Sequence, residues 1–302
     1  MIERLARRVT RRLKAIVAKR TQPHFDRAQL IDHLMACGFD DGQIVFVHSS
    51  LRSLGYVEGG ARTVVDALHT ALVERHDGTL AMPLFSLDTS MYRSVRSGAV
   101  FDVRSSPSRM GAITEAFRHH PGVQRSLHPT HSVGAAGRRA AWLVEGHHTC
   151  GSNFGDGSPL GRLLSAGGLL MGLGTDLGPV TFYHVLEDRL GSFPRRVYTT
   201  DSPLRSTCID QHGAAHELAV MCHDPEQSRT RIDRSEARWI RRYMTEYLEK
   251  HGGLRWHTIG AGKAWTIDTR EMYRCLEDLL RAGITIYTTE AELAALSARH
   301  RP

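Results

Sequence analysis

Short apolar runs alternate with longer amphipathic segments along most of this chain. The runs at residues 43–48 (QIVFVH) and 79–84 (TLAMPL) have the length and apolar content of buried strands. The segment at 61–74 instead carries apolar residues three and four apart, which is typical of a helix with one buried face. Strands separated by helices predict a three-layer α/β/α fold with a mostly parallel central sheet and functional residues near the carboxyl ends of its strands. Further helices are predicted at 25–37 and 108–118, and further strands at 132–135 and 168–173.

The pattern changes after Gly191. Residues 206–220 predict an antiparallel hairpin around Gln211-His212-Gly213, and residues 234–250 predict a long charged helix. No internal repeat or low-complexity linker separates these parts. We therefore expect one domain over residues 25–302, with a small hairpin subdomain at 192–232 and a separate extension at 1–24.

Composition excludes several classes of protein. The chain has 302 residues, 41% of them hydrophobic, and no run of eighteen apolar residues, so a soluble globular protein is expected. Its five cysteines are odd in number and form no CxxC pair, which argues against a disulfide framework and against a cysteine zinc site. The sequence thus predicts a cytoplasmic protein.

The net charge of +7 is concentrated in the first twenty residues, which hold eight Arg or Lys and one acid. The rest of the chain is formally neutral, so no nucleic-acid partner is expected. Apolar residues recur every three or four positions in this extension and predict a basic amphipathic helix. It either docks on its own domain or on the partner subunit of a homodimer, or it binds peripherally to an anionic membrane. Docking is favoured because an isolated helix of this length is only marginally stable.

Two segments have residues that suit an anion. VHSSLRSLG (47–55) follows a strand and offers hydroxyl and backbone N–H groups, and SSPSRMGAITEAFR (105–118) offers a helix start with Arg109. Each also has an ordinary interpretation, since serines before a helix are usually caps.

A third segment, RSLHPTHS (125–132), holds His128 and His131. Two histidines three residues apart invite a metal interpretation. Pro129 prevents a regular helix interior, however, and no third ligand is evident.

The fourth segment, TFYHVLE (181–187), follows the glycine-rich run GGLLMGLGT and gives the clearest sign of chemistry. In a helix beginning near Val180, His184 and Glu187 would share one face and could present a base to a cleft. A lone histidine on such a helix is more often packed or exposed than catalytic.

Taken in order, these segments resemble the aminoglycoside 3-N-acetyltransferase family, also called the antibiotic N-acetyltransferase family. The resemblance covers about residues 30–190, and the tail matches only in outline. Several spaced motifs in the right order are more specific than any one of them. They read VFVHSSLRSLGYVEGG, GTLAMPLFS, SPSRMGAITEAFR, PGVQRSLHPTHSVGAAG and FGDGSPLGRLLSAGGLLMGLGTDLGPVTFYHVLED.

The resemblance implies an acyltransferase that moves an acetyl group directly from acetyl-CoA, its cosubstrate, to a primary amine of a sugar-like small molecule. It implies that His184 is the general base, since an alkylammonium must lose a proton before its nitrogen can attack a thioester. A carboxylate would hold the imidazole in one tautomer. The family's acid lies some thirty residues after the histidine, where this chain offers Asp224 or Glu217. Glu187, the motif's own acid, would then be structural.

The resemblance implies that CoA is bound by residues at helix starts and strand ends. It also implies that His128 and Asp224 contact the acceptor. The CoA set comprises His48, Ser49, Ser50, Leu51, Met82, Pro83, Ser86, Ser108 and Arg109.

The acceptor is expected to be an aminoglycoside, as in antibiotic resistance, or a less cationic amine such as an amino sugar of a surface polysaccharide. The second choice follows from the neutral core, because polycationic substrates are best bound by clustered carboxylates.

No metal is implied. A different class of enzyme, a metal-dependent hydrolase, would use histidines such as His128, His131, His147 or His148, although the chain lacks HExxH. A third interpretation is a binding protein that kept the fold and lost catalysis.

Overall fold

The computed structural model describes residues 19–87 and 90–299. The predicted basic helix at 1–20 lies outside this range apart from its last two residues. Within the described part, no helix combines the length and the apolar content needed to cross a bilayer.

Twelve strands are described. They are β1 (His24–Phe25), β2 (Ile44–Ser49), β3 (Tyr56–Val57), β4 (Thr79–Pro83), β5 (Phe101–Asp102), β6 (Gln124–Arg125), β7 (Val133–Gly137), β8 (Leu169–Leu173), β9 (Leu204–Ile209), β10 (Ala215–Val220), β11 (Arg255–Ile259) and β12 (Gly262–Asp268).

The α-helices of the described residues alternate with these strands. They are α1 (Arg27–Met35), α2 (Ala61–His69), α3 (Met91–Arg96), α4 (Ala112–Arg118), α5 (Ala140–Val144), α6 (Pro159–Ala166), α7 (Tyr183–Arg189), α8 (Arg238–His251), α9 (Thr269–Arg281) and α10 (Glu290–Arg299).

Seven strands form the main sheet in the order β11-β12-β8-β2-β4-β7-β6. The three central strands β8, β2 and β4 are parallel, while every pairing outside them is antiparallel. The outer strands come as two hairpins, β6–β7 and β11–β12, and hairpin strands can only pair antiparallel. The predicted α/β class is confirmed, with a sheet that is mixed rather than mostly parallel.

Helices cover both faces of this sheet. Ile44 and Phe46 of β2 point into a core shared with α5 to α9, whereas Val45 and Val47 point into a core shared with α1, α2 and α4. Burial on both faces explains why β2 is a continuous apolar run rather than an alternating one.

A second sheet joins β5, β9 and β10. Strands β9 and β10 form the predicted antiparallel hairpin, and β5 pairs with β9 in parallel. This small sheet packs with α3 around its own apolar cluster, which includes Met91, Cys208 and Cys222. Its last strand ends three residues before His223.

The glycine-rich run before α7 has a steric explanation. At Gly172 in β8, a Cβ atom would overlap the indole of Trp265, which lies on the neighbouring strand β12. Gly174 has a φ of +71°, a conformation that other residues rarely adopt. The chain therefore turns out of the sheet at this point, and α7 begins at Tyr183, three residues later than predicted.

Candidate active site

A cavity of about 550 Å³ opens at the carboxyl ends of the central parallel strands. It is lined by His48 and Ser49 of β2, by Pro83 of β4 and by Thr175 just after β8. The carboxyl ends of parallel strands meet at one edge of a sheet, where ligands of α/β proteins bind. The start of α7, with His184, closes one wall.

His184 and Glu187 form the central pair of this wall. His184 Nδ1 lies 2.8 Å from Glu187 Oε2, and both side chains are buried. They stand three residues apart on α7, a spacing that brings side chains together on one helical face. An ionised carboxylate can only accept a hydrogen bond, so Nδ1 carries the hydrogen and Nε2 keeps its lone pair. That lone pair can take a proton.

A second imidazole contacts the same carboxylate oxygen. His223 Nε2 lies 3.2 Å from Glu187 Oε2, and the rings of His184 and His223 are 4.4 Å apart. His223 is buried and also lines the cavity.

These contacts set the charge of Glu187. Burial by itself would raise the pKa of this carboxyl, but its interactions with His184 and His223, including a hydrogen bond from each, outweigh burial and lower the pKa. Glu187 is therefore ionised at neutral pH, in a place where an unpaired charge would be costly.

Two aromatic rings hold the imidazoles in place. Phe154 stacks on His184 at 5.2 Å, and Tyr198 stacks on His223 at 4.9 Å. Asp188 links the two rings, because it accepts hydrogen bonds from the Tyr198 hydroxyl and from the backbone N–H of Phe154.

The structure corrects the expected carboxylate partner of His184. Asp224 instead accepts from Arg196 at 3.4 Å, and Glu217 accepts from Thr207 on the hairpin surface. Neither lines the cavity. The segment after the hairpin does reach the site, but through His223 rather than through Asp224.

His128, expected to contact the acceptor, does not line the cavity either. Its Nδ1 accepts the backbone N–H of His131 at 3.1 Å, and its ring stacks on His147 at 4.4 Å. His131 lines the cavity in its place. His128 therefore shapes the loop between β6 and β7.

The histidines of the hydrolase interpretation do not assemble into a ligand set. Both ring nitrogens of His147 are engaged, by Ser126 Oγ at 2.9 Å and by the Asn153 carbonyl at 3.2 Å. Over residues 19–87 and 90–299, a single group of three potential metal ligands has its atoms within 4.8 Å of one another. It consists of His184, Glu187 and His223.

The residues expected on the CoA side are only partly brought together. His48, Ser49 and Pro83 line the cavity, whereas Met82 points into the apolar core on one face of the sheet. Ser86 and Arg109 line an adjacent pocket of about 160 Å³.

The other three expected CoA contacts are Ser50, Leu51 and Ser108, and none of them lines the cavity. The Ser108 hydroxyl is buried against Thr114 at 2.8 Å. The helix predicted to begin at Ser108 begins at Ala112, with Gly111 before it, so Ser108 does not cap it.

Three buried polar atoms at the strand-end side of the cavity have no hydrogen-bond partner among the described residues. They are His48 Nε2, Ser49 Oγ and Thr175 Oγ1. Burial lowers the pKa of His48 to about 4, so its ring is neutral at physiological pH. Unsatisfied buried polar groups are rare in native proteins, and a bound ligand or water satisfies many of those that occur.

The charged residues of the cavity lining are few. They are Arg231, Asp233 and Arg234, and Arg231 holds both oxygens of Asp233, at 2.7 and 2.8 Å. No other carboxylate lines the described cavity. These three side chains thus carry one net positive charge, while the ionised Glu187 lies buried behind His184 and outside the lining.

Residues missed in the sequence come mostly from distant segments. Phe154, Asp188, Tyr198 and His223 each carry part of the site. Phe154 and Asp188 are the first and last residues of a motif that carries the resemblance, whereas Tyr198 and His223 lie outside the motifs. His223 is adjacent to the expected Asp224, and no local pattern distinguishes it.

Comparisons with known proteins agree with this geometry. Residues 46–281 match the family model described as aminoglycoside 3-N-acetyltransferase. Aminoglycoside N(3)-acetyltransferase III of Serratia marcescens is 36% identical over 167 residues, which cover 51% of this chain and 61% of that protein. The aminoglycoside N(3')-acetyltransferase-like protein YokD of Bacillus subtilis is 32% identical over 194 residues, covering 59% and 70%. The sequence match thus spans roughly two thirds of the length of these relatives.

Similarity of structure extends further along the chain. The crystal structure of the aminoglycoside acetyltransferase AAC(3)-Xa superimposes with a TM-score of 0.67 at 27% identity, covering 83% of this chain and 91% of that one.

Proposed function

Because the chain belongs to the aminoglycoside 3-N-acetyltransferase family, we propose that it transfers an acetyl group from acetyl-CoA to a primary amine of an amino sugar, with His184 as general base. The observation that carries this proposal is the buried His184–Glu187 hydrogen bond at the cavity wall. It leaves a single imidazole nitrogen with a lone pair directed away from the carboxylate.

The reaction follows from this arrangement. His184 Nε2 takes a proton from the acceptor ammonium, and the freed amine nitrogen bonds to the thioester carbonyl carbon. The carbon–sulfur bond then breaks, the departing CoA thiolate receives the proton from the imidazolium, and the acylated nitrogen releases its remaining extra proton to solvent. Glu187 stabilises that imidazolium while it exists. His48, Ser49 and Thr175 line the cavity, and we propose that they contact polar atoms of the thioester-bearing chain.

The acceptor is proposed to carry few positive charges. An aminoglycoside would bring several ammonium groups into a cavity whose one carboxylate, Asp233, is already held by Arg231. Arg234 would then repel the ammonium groups that do not react. An amino sugar with one amine, as in surface polysaccharides, avoids this repulsion.

A panel of acceptors tests this proposal. We expect kcat/KM to be at least about tenfold higher for monoamine and nucleotide-linked amino sugars than for polycationic aminoglycosides, the factor that corresponds to 1.4 kcal/mol. Exclusive turnover of the aminoglycosides would contradict the choice of acceptor, though not the acetyl transfer. The same assays with a strong chelator test the hydrolase alternative, which predicts loss of activity and no need for acetyl-CoA.

The role of His184 is tested by His184→Gln. General-base catalysis contributes about a hundred- to ten-thousand-fold to a rate, so kcat is expected to fall by that factor while CoA binding stays within about twofold. His148→Gln is the matched control, because His148 lies outside the cavity lining. Unchanged kcat in His184→Gln would refute the assignment.

A further inference from the structure

We propose that His223 is a positioning residue for the acetyl transfer: it is a second hydrogen-bond donor that fixes the Glu187 carboxylate, and thereby the ring orientation and tautomer of His184. This inference rests on the proposed function. No described contact places His223 against a reacting atom, so its effect passes through Glu187.

The first support is the shared oxygen. Glu187 Oε2 accepts from His184 Nδ1 at 2.8 Å and from His223 Nε2 at 3.2 Å. The other oxygen, Oε1, is buried. The Tyr287 hydroxyl also interacts with this carboxylate, but neither atom makes a hydrogen bond of regular geometry. The terminal torsion of a glutamate is broad, so a single partner leaves the carboxylate free to turn. Two donors from different segments of the chain define its plane.

The second support is the protonation state that this contact requires. Because the carboxylate only accepts, His223 carries its hydrogen on Nε2. Burial, together with the nearby His184, lowers the pKa of His223 to about 4. The ring is therefore neutral when His184 receives the substrate proton. A second imidazolium, with the rings only 4.4 Å apart, would oppose that step by charge repulsion.

The third support is the rigidity of the His223 ring. It stacks on Tyr198 at 4.9 Å, and residues 198 and 223 are paired as a β-bridge. The backbone N–H of His223 donates to Met91 Sδ at 3.3 Å, which ties it to α3. The small sheet with its helix thus holds the imidazole at a fixed place beside α7. Delivery of this donor is a physical reason for the hairpin to dock here.

Two substitutions distinguish the role of the His223 N–H donor from the role of its aromatic ring. His223→Phe keeps an aromatic ring for stacking and removes the N–H, whereas His223→Gln keeps a neutral N–H donor. Hydrogen bonds to charged groups contribute enough that we expect kcat to fall about ten- to hundredfold in His223→Phe, with the KM for acetyl-CoA within about twofold. His223→Gln is expected to recover to within about fivefold of the parent kcat. A parent-like kcat in a folded His223→Phe protein would overturn the proposal.

The tautomers of the two histidines can be measured in the unsubstituted protein, without a folded variant and without an activity assay. With ¹⁵N-labelled histidine, NMR of the unmodified chain should show His184 protonated at Nδ1 and His223 protonated at Nε2. The opposite tautomer at His223 would overturn the proposal. If no acceptor is acetylated by the parent chain, the proposed function fails, while the tautomers still report whether His223 holds Glu187.

Discussion

Acidification below about pH 6.5 should destabilise this protein, because several histidines are buried in the neutral form. His48, His147 and His223 are each at most 5% exposed. Burial is the largest cause that lowers the pKa of each of them to about 4. In the unfolded chain the same side chains titrate near pH 6.5.

The sign and the size follow from proton linkage. Between pH 6.5 and pH 4 the unfolded chain binds protons that the folded chain does not, so acid favours unfolding. The stability that these neutral histidines contribute is fully present above pH 6.5 and is lost as the pH falls toward 4. At pH 5.5, one unit below the unfolded value, each histidine lowers the free energy of unfolding by about 1.4 kcal/mol, and the three together by about 4 kcal/mol. That is a large part of a typical net stability of about 5–15 kcal/mol.

Other groups also affect the stability in this pH window. His128 and His131, whose pKa values burial also lowers, add to the loss. Asp188 has the opposite effect: burial raises its pKa, so protonation of Asp188 at low pH favours the folded state. Most carboxyl groups titrate below pH 5.5 in both states.

Urea unfolding at pH 8.0 and pH 5.5, at equal ionic strength, measures the difference directly. His147→Gln provides the internal test, because it removes one titrating group far from the proposed chemistry. This variant is expected to be less stable at pH 8, where it loses its bonds to Ser126 and Asn153. The drop in its free energy of unfolding from pH 8.0 to pH 5.5 should nevertheless be smaller than that of the parent by about 1.4 kcal/mol. Equal stability at both pH values, or an unchanged difference in His147→Gln, would refute the reasoning.

Two further predictions concern the carboxylates. Glu187→Gln keeps the size of the side chain but removes the charge that stabilises the His184 imidazolium, and kcat should fall by about a hundredfold or more in a steady-state assay, at an unchanged KM for acetyl-CoA. Asp224→Asn and Glu217→Gln should leave kcat within about threefold, because both carboxylates are engaged outside the cavity, Asp224 by Arg196 and Glu217 by the Thr207 hydroxyl. A hundredfold loss in either of these would restore that acid as the partner of His184.

Local patterns in the sequence predicted the central part of the fold. The buried runs at β2, β4 and β8 and the amphipathic helices between them depend on residues close in sequence, so periodicity reveals them. The directions of β7 and β12 do not depend on local pattern. They are set by hairpin connections and by packing such as that of Trp265 over Gly172.

The pairing of His184 with Glu187 could also be predicted from the sequence, although the resemblance led to a more distant acid being preferred. His184 and Glu187 are three apart, close enough on a helix for a direct hydrogen bond without any tertiary contact. The preference for Asp224 or Glu217 came from the resemblance, and the structure does not bring either one to His184. His223 could not be inferred in this way, since it lies 36 residues beyond Glu187 and meets it only when the hairpin docks.

Two different segments of the chain supply the residues of the site. Residues up to about Leu190, where the motifs resemble the family closely, supply His184, Glu187 and the strand ends that line the cavity. The segment after Gly191, where the motifs thin out, supplies His223 and the charged lining of Arg231, Asp233 and Arg234. The shared motifs therefore account for the transfer, whereas the identity of the acceptor depends on the later segment. A family resemblance that is confined to the first 190 residues can identify the reaction without identifying the acceptor. The charge of the later lining, with its single carboxylate already paired, is the structural feature that narrows the choice.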